Sequence, residues 1–233
     1  MEATALIPRK HVALVLLGFP AIATLISLLL LNKALLAWTG TDFNTSFWML
    51  ISAWYAVQVI AIAWIARLNG LSLAAFGLDI GSRRLRWMCI GYFVFALALV
   101  ALIESAIATR GLDPMKIAQL SDYADLTPQS LSSRLVFVLM GFLAAVSEEL
   151  VYRGFAINAL TRRRIGRWAA VLIAAIPFVF QHGLKSLDQF WWFFGWALVF
   201  GALFVRTRNL YVNIAIHWLV ILAALPAILQ ALR

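Results

Sequence analysis

Seven long apolar runs, separated by short polar segments, constrain this chain more than any other feature of its sequence. The runs cover about residues 12–32, 47–66, 87–107, 135–160, 168–183, 189–205 and 210–231. Each is close to the roughly 20 residues that an α-helix needs to cross a bilayer, whereas a lipid-spanning strand needs about 10 residues of alternating polarity. With 64% hydrophobic and only 12% charged residues, a soluble globular domain is excluded. The sequence predicts an all-α transmembrane helix bundle of about seven spans (six to eight), and because no repeat or linker divides the runs, residues 1–233 form one predicted membrane domain.

The net charge of +9 is divided unequally between the two sides of the membrane. When the loops are assigned alternately to two sides, one side receives twelve cations and two acids, and the other receives six cations and five acids. Lys and Arg collect in the cytoplasmic loops of membrane proteins. We therefore predict that the N-terminus lies inside and the C-terminus outside, in a bacterial inner (plasma) membrane. The positive charge then implies no nucleic-acid partner.

Three charged residues lie within six positions of the fourth apolar run, namely Glu148, Glu149 and Arg153. A charge near mid-bilayer is unfavourable by at least about 2.5–3.5 kcal/mol, so such residues are rare and face a polar cavity or a partner. On an α-helix, Glu149 and Arg153 have the spacing and order that favour an ion pair, whereas Glu148 lies about 140° around the helix from Arg153. We expect Arg153 to hold Glu149 and to leave Glu148 free for another partner.

Two later runs each carry a histidine that shares a helix face with a residue four positions earlier. His182 follows Phe178 in the fifth run, and His217 follows Asn213 in the seventh. Counted from the basic loops at about 1.5 Å per residue, Glu148 and His182 lie at nearly the same depth and His217 lies somewhat nearer the loops. A buried carboxylate beside an imidazole can activate water, and a second imidazole or an amide can donate to the oxyanion of an acyl-transfer intermediate. Amide hydrolysis within a membrane is the chemistry that this set fits best.

The order of these motifs resembles that of the CAAX protease and bacteriocin-processing family of intramembrane proteases, also called the CPBP or Abi family. The matching residues, in chain order, are Glu148, Glu149 and Arg153, then Phe178 and His182, then His217. The resemblance covers about residues 70–225, the expected catalytic core. It implies a glutamate-type endopeptidase that needs no metal or other cofactor.

The resemblance also implies a role for each matching residue. Glu148 is the base that activates water, His182 orients that water, and His217 helps to stabilise the oxyanion. Three residues support the site by holding it or packing beside it: Glu149, Arg153 and Phe178.

One position departs from the family pattern. Members often continue the last motif as His-x-x-x-Asn, and here that place holds Ile221, whose side chain cannot donate a hydrogen bond. Asn213 lies four residues before His217 on the same face. We count it among the supporting residues and hypothesise that its amide supplies the missing donor.

A zinc site is the alternative use of the same residues. Carboxylates and imidazoles bind Zn²⁺, so Glu148, His182 and His217 are the ligands that a metal would take. No His-Glu-x-x-His spacing occurs in the sequence, and we therefore expect no metal.

The sequence thus predicts an intramembrane endopeptidase that hydrolyses a peptide bond of a membrane-associated protein or peptide, for example a lipidated or C-terminally anchored one. Two other classes stay open. A transporter would use the intramembrane Glu, His and Arg residues to relay protons or bind an ion. A catalytically inactive membrane scaffold would explain Ile221, and it would keep its full biological function in Glu148→Gln.

Overall fold

The described part of the protein is a bundle of helices. The computed structural model describes residues 6–30, 32, 36, 39–79, 81–110, 126–128 and 130–231, and among these residues it contains no β-strand. The helices, numbered in chain order, are α1 Arg9–Leu30, α2 Phe43–Leu68, α3 Arg83–Arg110, α4 Leu131–Arg162, α5 Arg167–Phe180, α6 Phe190–Thr207 and α7 Leu210–Ala231. Five of them, α1 to α4 and α6, are long and apolar enough by length and composition to cross a membrane. The predicted class of fold is confirmed.

One predicted span is longer than the helix that corresponds to it. The fifth run was assigned to residues 168–183, but α5 ends at Phe180 and is followed by a turn and a short 3-10 helix, Leu184–Leu187. The helix ends where polar Gln181 and His182 follow the apolar stretch, and the predicted span extends through them. As a result, His182 lies in the turn and not on the helix.

Side-chain caps fix where two of the central helices begin. The Asp42 carboxylate accepts a hydrogen bond from the Thr45 backbone N–H at 2.9 Å and another from the Thr45 hydroxyl at 2.6 Å. At the start of α4, the Ser130 hydroxyl accepts from the Ser133 backbone N–H at 3.1 Å. These bonds satisfy N–H groups that the first helical turn leaves unpaired.

The helix α4 lies at the centre of the bundle. It packs along α2 and also contacts α5, α6 and α7. Every residue of its segment Glu149–Ile157 is buried. Because lipid is as apolar as a leucine side chain, such contacts stabilise the bundle through close packing and hydrogen bonds rather than through release of water.

The same buried segment of α4 is a π-helix, which the sequence did not predict. The chain is α-helical over Leu131–Glu148, π-helical over Glu149–Ile157 and α-helical again over Asn158–Arg162. In a π-helix each turn contains more residues than in an α-helix, because the hydrogen bonds run from i to i+5. The change from α-helix to π-helix falls between Glu148 and Glu149, so the two acids lie in helical segments of different geometry.

The peripheral elements differ in how they meet this centre. The helix α3 is peripheral, and no residue of its described apolar part, Arg83–Leu102, is buried. By contrast, the short 3-10 helix Leu73–Phe76 before it folds against α4, where the Phe76 and Phe155 rings lie 6.0 Å apart. The Gly77 carbonyl accepts a hydrogen bond from the backbone N–H of Leu210 at 2.9 Å, which ties this connection to the start of α7.

Candidate active site

Glu148 is buried in the bundle with side chains from three other parts of the chain around its carboxylate. It is 1% exposed. The Tyr55 hydroxyl of α2 donates a hydrogen bond to Oε1 at 2.7 Å, and the Nε2 atom of His182 lies 3.7 Å from the same oxygen. The Nε2 atom of His217 lies 3.7 Å from Oε2. Among the described residues, Oε2 is buried and has no hydrogen-bond partner.

Both carboxylate oxygens of Glu149 have partners within the protein. The predicted ion pair is present, with Arg153 Nη1 3.1 Å from Glu149 Oε1. The same oxygen is 2.8 Å from His217 Nδ1, and the other accepts a hydrogen bond from the Asn213 amide at 3.0 Å. Arg153 also lies over the Phe178 ring, 4.3 Å from its centroid. The charge of Glu149 is therefore compensated within the protein.

His217 connects the two acids through its two ring nitrogens. Because Nδ1 faces the Glu149 carboxylate, the proton on Nδ1 is donated to that acid, and Nε2 is directed to Glu148. The ring stacks on Phe200, with centroids 4.7 Å apart and planes at 20°. A carboxylate on Nδ1 fixes the orientation of an imidazole and stabilises its protonated form. Only in that form can Nε2 donate a hydrogen bond.

His182 is held in the turn after α5. Its Nδ1 atom lies 3.0 Å from the Phe178 carbonyl, so Nδ1 donates there and Nε2 is left to face Glu148. The ring stacks on Phe193 of α6 at 4.0 Å and contacts the Phe178 ring at 5.0 Å. With 21% of its side chain exposed, His182 is more accessible than Glu148 or His217. It therefore lies on the more accessible side of the carboxylate.

A glycine lets this turn pack against α1. Gly183 has φ +80°, and a Cβ atom built there would lie 2.3 Å from the Ser27 hydroxyl oxygen. Such a backbone conformation is essentially restricted to glycine. The position of His182 thus depends on the residue that follows it.

The Asn213 hypothesis needs correction. The amide nitrogen of Asn213 donates both to Glu149 Oε2 and to the Phe200 carbonyl, at 3.0 and 2.8 Å. An amide has two N–H donors, so none is left for an oxyanion. Asn213 is placed to support Glu149, which was the other role that the sequence suggested for it. Ile221 lines the cavity beside Glu148 without a polar group.

Sequence reasoning missed the contribution of α2. Tyr55 lies outside the expected core of residues 70–225, yet it contacts Glu148 directly. One turn further along α2, Gln58 accepts a hydrogen bond from the Ser147 hydroxyl at 2.6 Å. A glutamine within an apolar run is a signal that was available, because polar side chains in membrane helices face a partner. Tyr55 is three residues before it and shares its face.

An apolar cavity of about 1160 Å³ opens beside these residues. Tyr55, Glu148, His182 and His217 of the site line it, and its other polar residues are Ser27, Tyr92, Arg167, Gln181 and Arg206. The rest is lined chiefly by apolar and aromatic side chains of α2, α3, α4, α6 and α7. Within the described part of the chain, no group of three or more His, Cys, Asp or Glu residues is arranged to hold a metal ion.

The bundle of apolar helices thus brings two buried acids, a buried arginine and two imidazoles close together. Residues 130–223, about two fifths of the chain, match the family model described as Type II CAAX prenyl endopeptidase Rce1-like. The match confirms the resemblance to a family of membrane proteases that the sequence indicated, over the segment that carries Glu148, His182 and His217. The chain is accordingly a multi-pass membrane protein. No curated protein and no solved structure matches it.

Proposed function

We propose that this protein is a glutamate-type intramembrane endopeptidase in which Glu148 activates the attacking water. One observation carries the proposal. The carboxylate of Glu148 is buried in an apolar cavity, has one oxygen without a hydrogen-bond partner among the described residues, and faces two imidazole nitrogens at 3.7 Å. A carboxylate in such surroundings can take a proton from water, and one imidazole can orient that water.

The proposed reaction has two steps, in which water adds to the peptide carbonyl and the C–N bond then breaks. Glu148 removes a proton from water while the water oxygen attacks the carbonyl carbon of the scissile peptide bond, and His182 Nε2 accepts a hydrogen bond from the same water. The negative charge then lies on the former carbonyl oxygen, where protonated His217 donates to it from Nε2. Protonated Glu148 returns its proton to the leaving nitrogen as the C–N bond breaks. The products are a carboxylic acid, which ionises by losing its proton to solvent, and a free amine, and the Glu148 carboxylate is regenerated.

The supporting residues keep this arrangement in place. Glu149 orients His217, Arg153 and Asn213 hold Glu149, and Phe178 packs against Arg153. A buried charge without such partners would be strongly destabilising. The proposal therefore explains why a second acid and an arginine occupy a membrane helix.

The substrate is proposed to be a membrane-associated protein or peptide with an apolar group near the cleaved bond. The cavity beside Glu148 is lined chiefly by apolar side chains, and the matching family is described as a prenyl endopeptidase. A lipidated or C-terminally anchored chain would fit both. We propose a bacterial inner membrane as its location and no metal cofactor. A chelator that abolishes cleavage, with recovery on addition of Zn²⁺, would contradict the latter.

The test compares the termini of membrane proteins in cells that carry the wild type, Glu148→Gln or Ser147→Ala. Glu148→Gln keeps the shape of the side chain and removes its basicity, so the termini made by the wild type should be absent. Ser147→Ala changes the adjacent buried residue and should keep them. Identical termini in wild-type and Glu148→Gln cells would contradict the proposal, and pH-dependent ion flux lost in Glu148→Gln would then indicate a transporter.

A further inference from the structure

We propose that Tyr55 is a positioning residue for Glu148, that it determines which carboxylate oxygen accepts the proton, and that α2 is therefore part of the active site. The inference rests on the proposed role of Glu148. It extends the site beyond residues 130–223, the segment that matches the family model.

The geometry distinguishes the two oxygens of Glu148. Tyr55 donates its hydroxyl proton to Oε1 at 2.7 Å, a short hydrogen bond to a charged acceptor. Oε2 has no such partner among the described residues. Each oxygen lies 3.7 Å from an imidazole Nε2 atom, Oε1 from that of His182 and Oε2 from that of His217. An oxygen that already accepts a short hydrogen bond is the weaker base of the two. Proton transfer is therefore directed to Oε2, and the attacking water of the proposed reaction lies between that oxygen and His182 Nε2.

The side chain of Tyr55 is itself held in place by packing. Its ring is buried against Phe137, Met140 and Ala144 of α4. The Ser147 hydroxyl donates to Gln58 at 2.6 Å, next to Glu148 on α4 and one turn from Tyr55 on α2. The Gln58–Ser147 bond joins α2 to α4 beside Glu148 without contacting its carboxylate, whereas the Tyr55 hydroxyl contacts that carboxylate directly.

A purely structural role is the competing explanation. A buried tyrosine hydroxyl usually finds a hydrogen-bond partner, and the Gln58–Ser147 bond also joins α2 to α4 without touching the reacting groups. This neighbouring bond supplies a matched control. A residue that only joins the helices changes stability, whereas a positioning residue also changes the hydrogen bonding of the Glu148 carboxylate and the rate of cleavage.

The experiment follows the carboxylate stretching bands of Glu148 by infrared spectroscopy of the purified full-length protein in detergent. The bands lost in Glu148→Gln identify Glu148 among the groups around it, which are Tyr55 on α2, Tyr152, Glu149 and Arg153 on α4, His182 in the turn and His217 on α7. The carboxylate itself is the probe, so no substrate is needed.

Tyr55→Phe should shift the bands assigned to Glu148, since a short hydrogen bond to a charged oxygen is lost. The Glu148-dependent termini should form about tenfold more slowly. Gln58→Leu should lower thermal stability and leave the bands and the cleavage rate unchanged. Unchanged bands or an unchanged rate in Tyr55→Phe, or equal changes in both variants, would overturn the inference. If Glu148→Gln leaves all termini unchanged, the proposed function fails instead.

Discussion

At the scale of single residues, the two adjacent glutamates of α4 differ in how many partners their carboxylates have. This difference is the basis of the roles proposed for them. Glu149 is paired with Arg153, His217 and Asn213, whereas Glu148 keeps an oxygen free of hydrogen bonds from the described residues. A fully paired carboxylate is a poor base and a good orienting group. Glu149 is accordingly expected to act through His217 and not on the substrate.

The orienting role predicts the effect of removing the charge of Glu149. We expect Glu149→Gln to lower kcat by about 100-fold or more with little change in KM, because a neutral amide stabilises protonated His217 poorly. Asn213→Leu, which keeps the carboxylate and removes one hydrogen bond, should reduce kcat only about tenfold. Both are measured as rates of cleavage of a protein whose terminus depends on Glu148. Full activity in Glu149→Gln would contradict the orienting role.

The buried ion pair predicts a large effect on stability. Arg153→Met should lower the free energy of unfolding by about 3–5 kcal/mol, because it leaves the charge of Glu149 unpaired inside the bundle. The double variant Glu149→Gln with Arg153→Met should recover part of that loss, and unfolding in detergent measures both. Equal instability of the single and double variants would mean that packing of Arg153 on Phe178 is what matters.

At the scale of elements, helix ends place the catalytic groups as much as helix interiors do. The helix α5 stops at Phe180, and the turn that follows carries His182 to Glu148. The turn packs on α1, where the Thr24 hydroxyl donates to the Phe180 carbonyl at 3.2 Å. Gly183 makes that approach possible.

Gly183→Ala should therefore impair both stability and catalysis. The backbone conformation and the clash with Ser27 together are expected to lower the free energy of unfolding by about 1–3 kcal/mol and to displace His182. Gly195→Ala on α6 is the matched control, because a Cβ there meets nothing within 4 Å. Thermal unfolding and cleavage rate should change in the first variant alone. Normal activity in Gly183→Ala would show that the turn tolerates a side chain.

The cap of α2 predicts a dependence on pH. Hydrogen bonds, first from the Thr45 hydroxyl, lower the pKa of Asp42 from its ordinary value of 3.8. The charged cap therefore stabilises the folded protein above pH 3.8, and this stabilisation is lost as the pH falls through the lowered value. Asp42→Ala should lower the free energy of unfolding at neutral pH by about 1 kcal/mol.

Asp42→Asn separates the cap from its charge. An amide oxygen still accepts from the Thr45 N–H, so most of the stability at neutral pH should remain while the dependence at acid pH disappears. Thermal unfolding at a series of pH values measures both effects. If stability fell as much at acid pH in Asp42→Asn as in the wild type, groups other than Asp42 would be responsible for the pH dependence.

At the scale of the whole molecule, the distribution of loop charges predicts the orientation in the membrane. A phosphatase that is active only outside the cytoplasm should be active when fused after Arg233 and inactive when inserted between Arg164 and Ile165. The loop with Arg164 belongs to the side that carries twelve cations, and cation-rich loops lie in the cytoplasm. If the phosphatase were active only when inserted after Arg164, the predicted orientation in the membrane would be wrong. The side from which water and substrate approach Glu148 would then be reversed as well.

How far the sequence predicts this molecule depends on the range of the interactions. Hydropathy and spacing within one helix predicted the spans and the Glu149–Arg153 pair, since both are local. The bond between Tyr55 and Glu148 joins residues 93 positions apart and depends on how two helices are rotated. The π-helix of α4 likewise depends on the packing around it. Such features arise only when the helices assemble.

The short helix α5 has a consequence for the lipid around the protein. Its 14 residues extend about 21 Å at about 1.5 Å per residue, against a hydrocarbon thickness of about 30 Å. The turn at its end is polar and carries His182, so we expect the bilayer to thin locally and keep these groups near the headgroups. Such thinning would shorten the path from bulk solvent to Glu148. In the proposed reaction, water would then reach a site inside the membrane because the protein deforms the membrane around it.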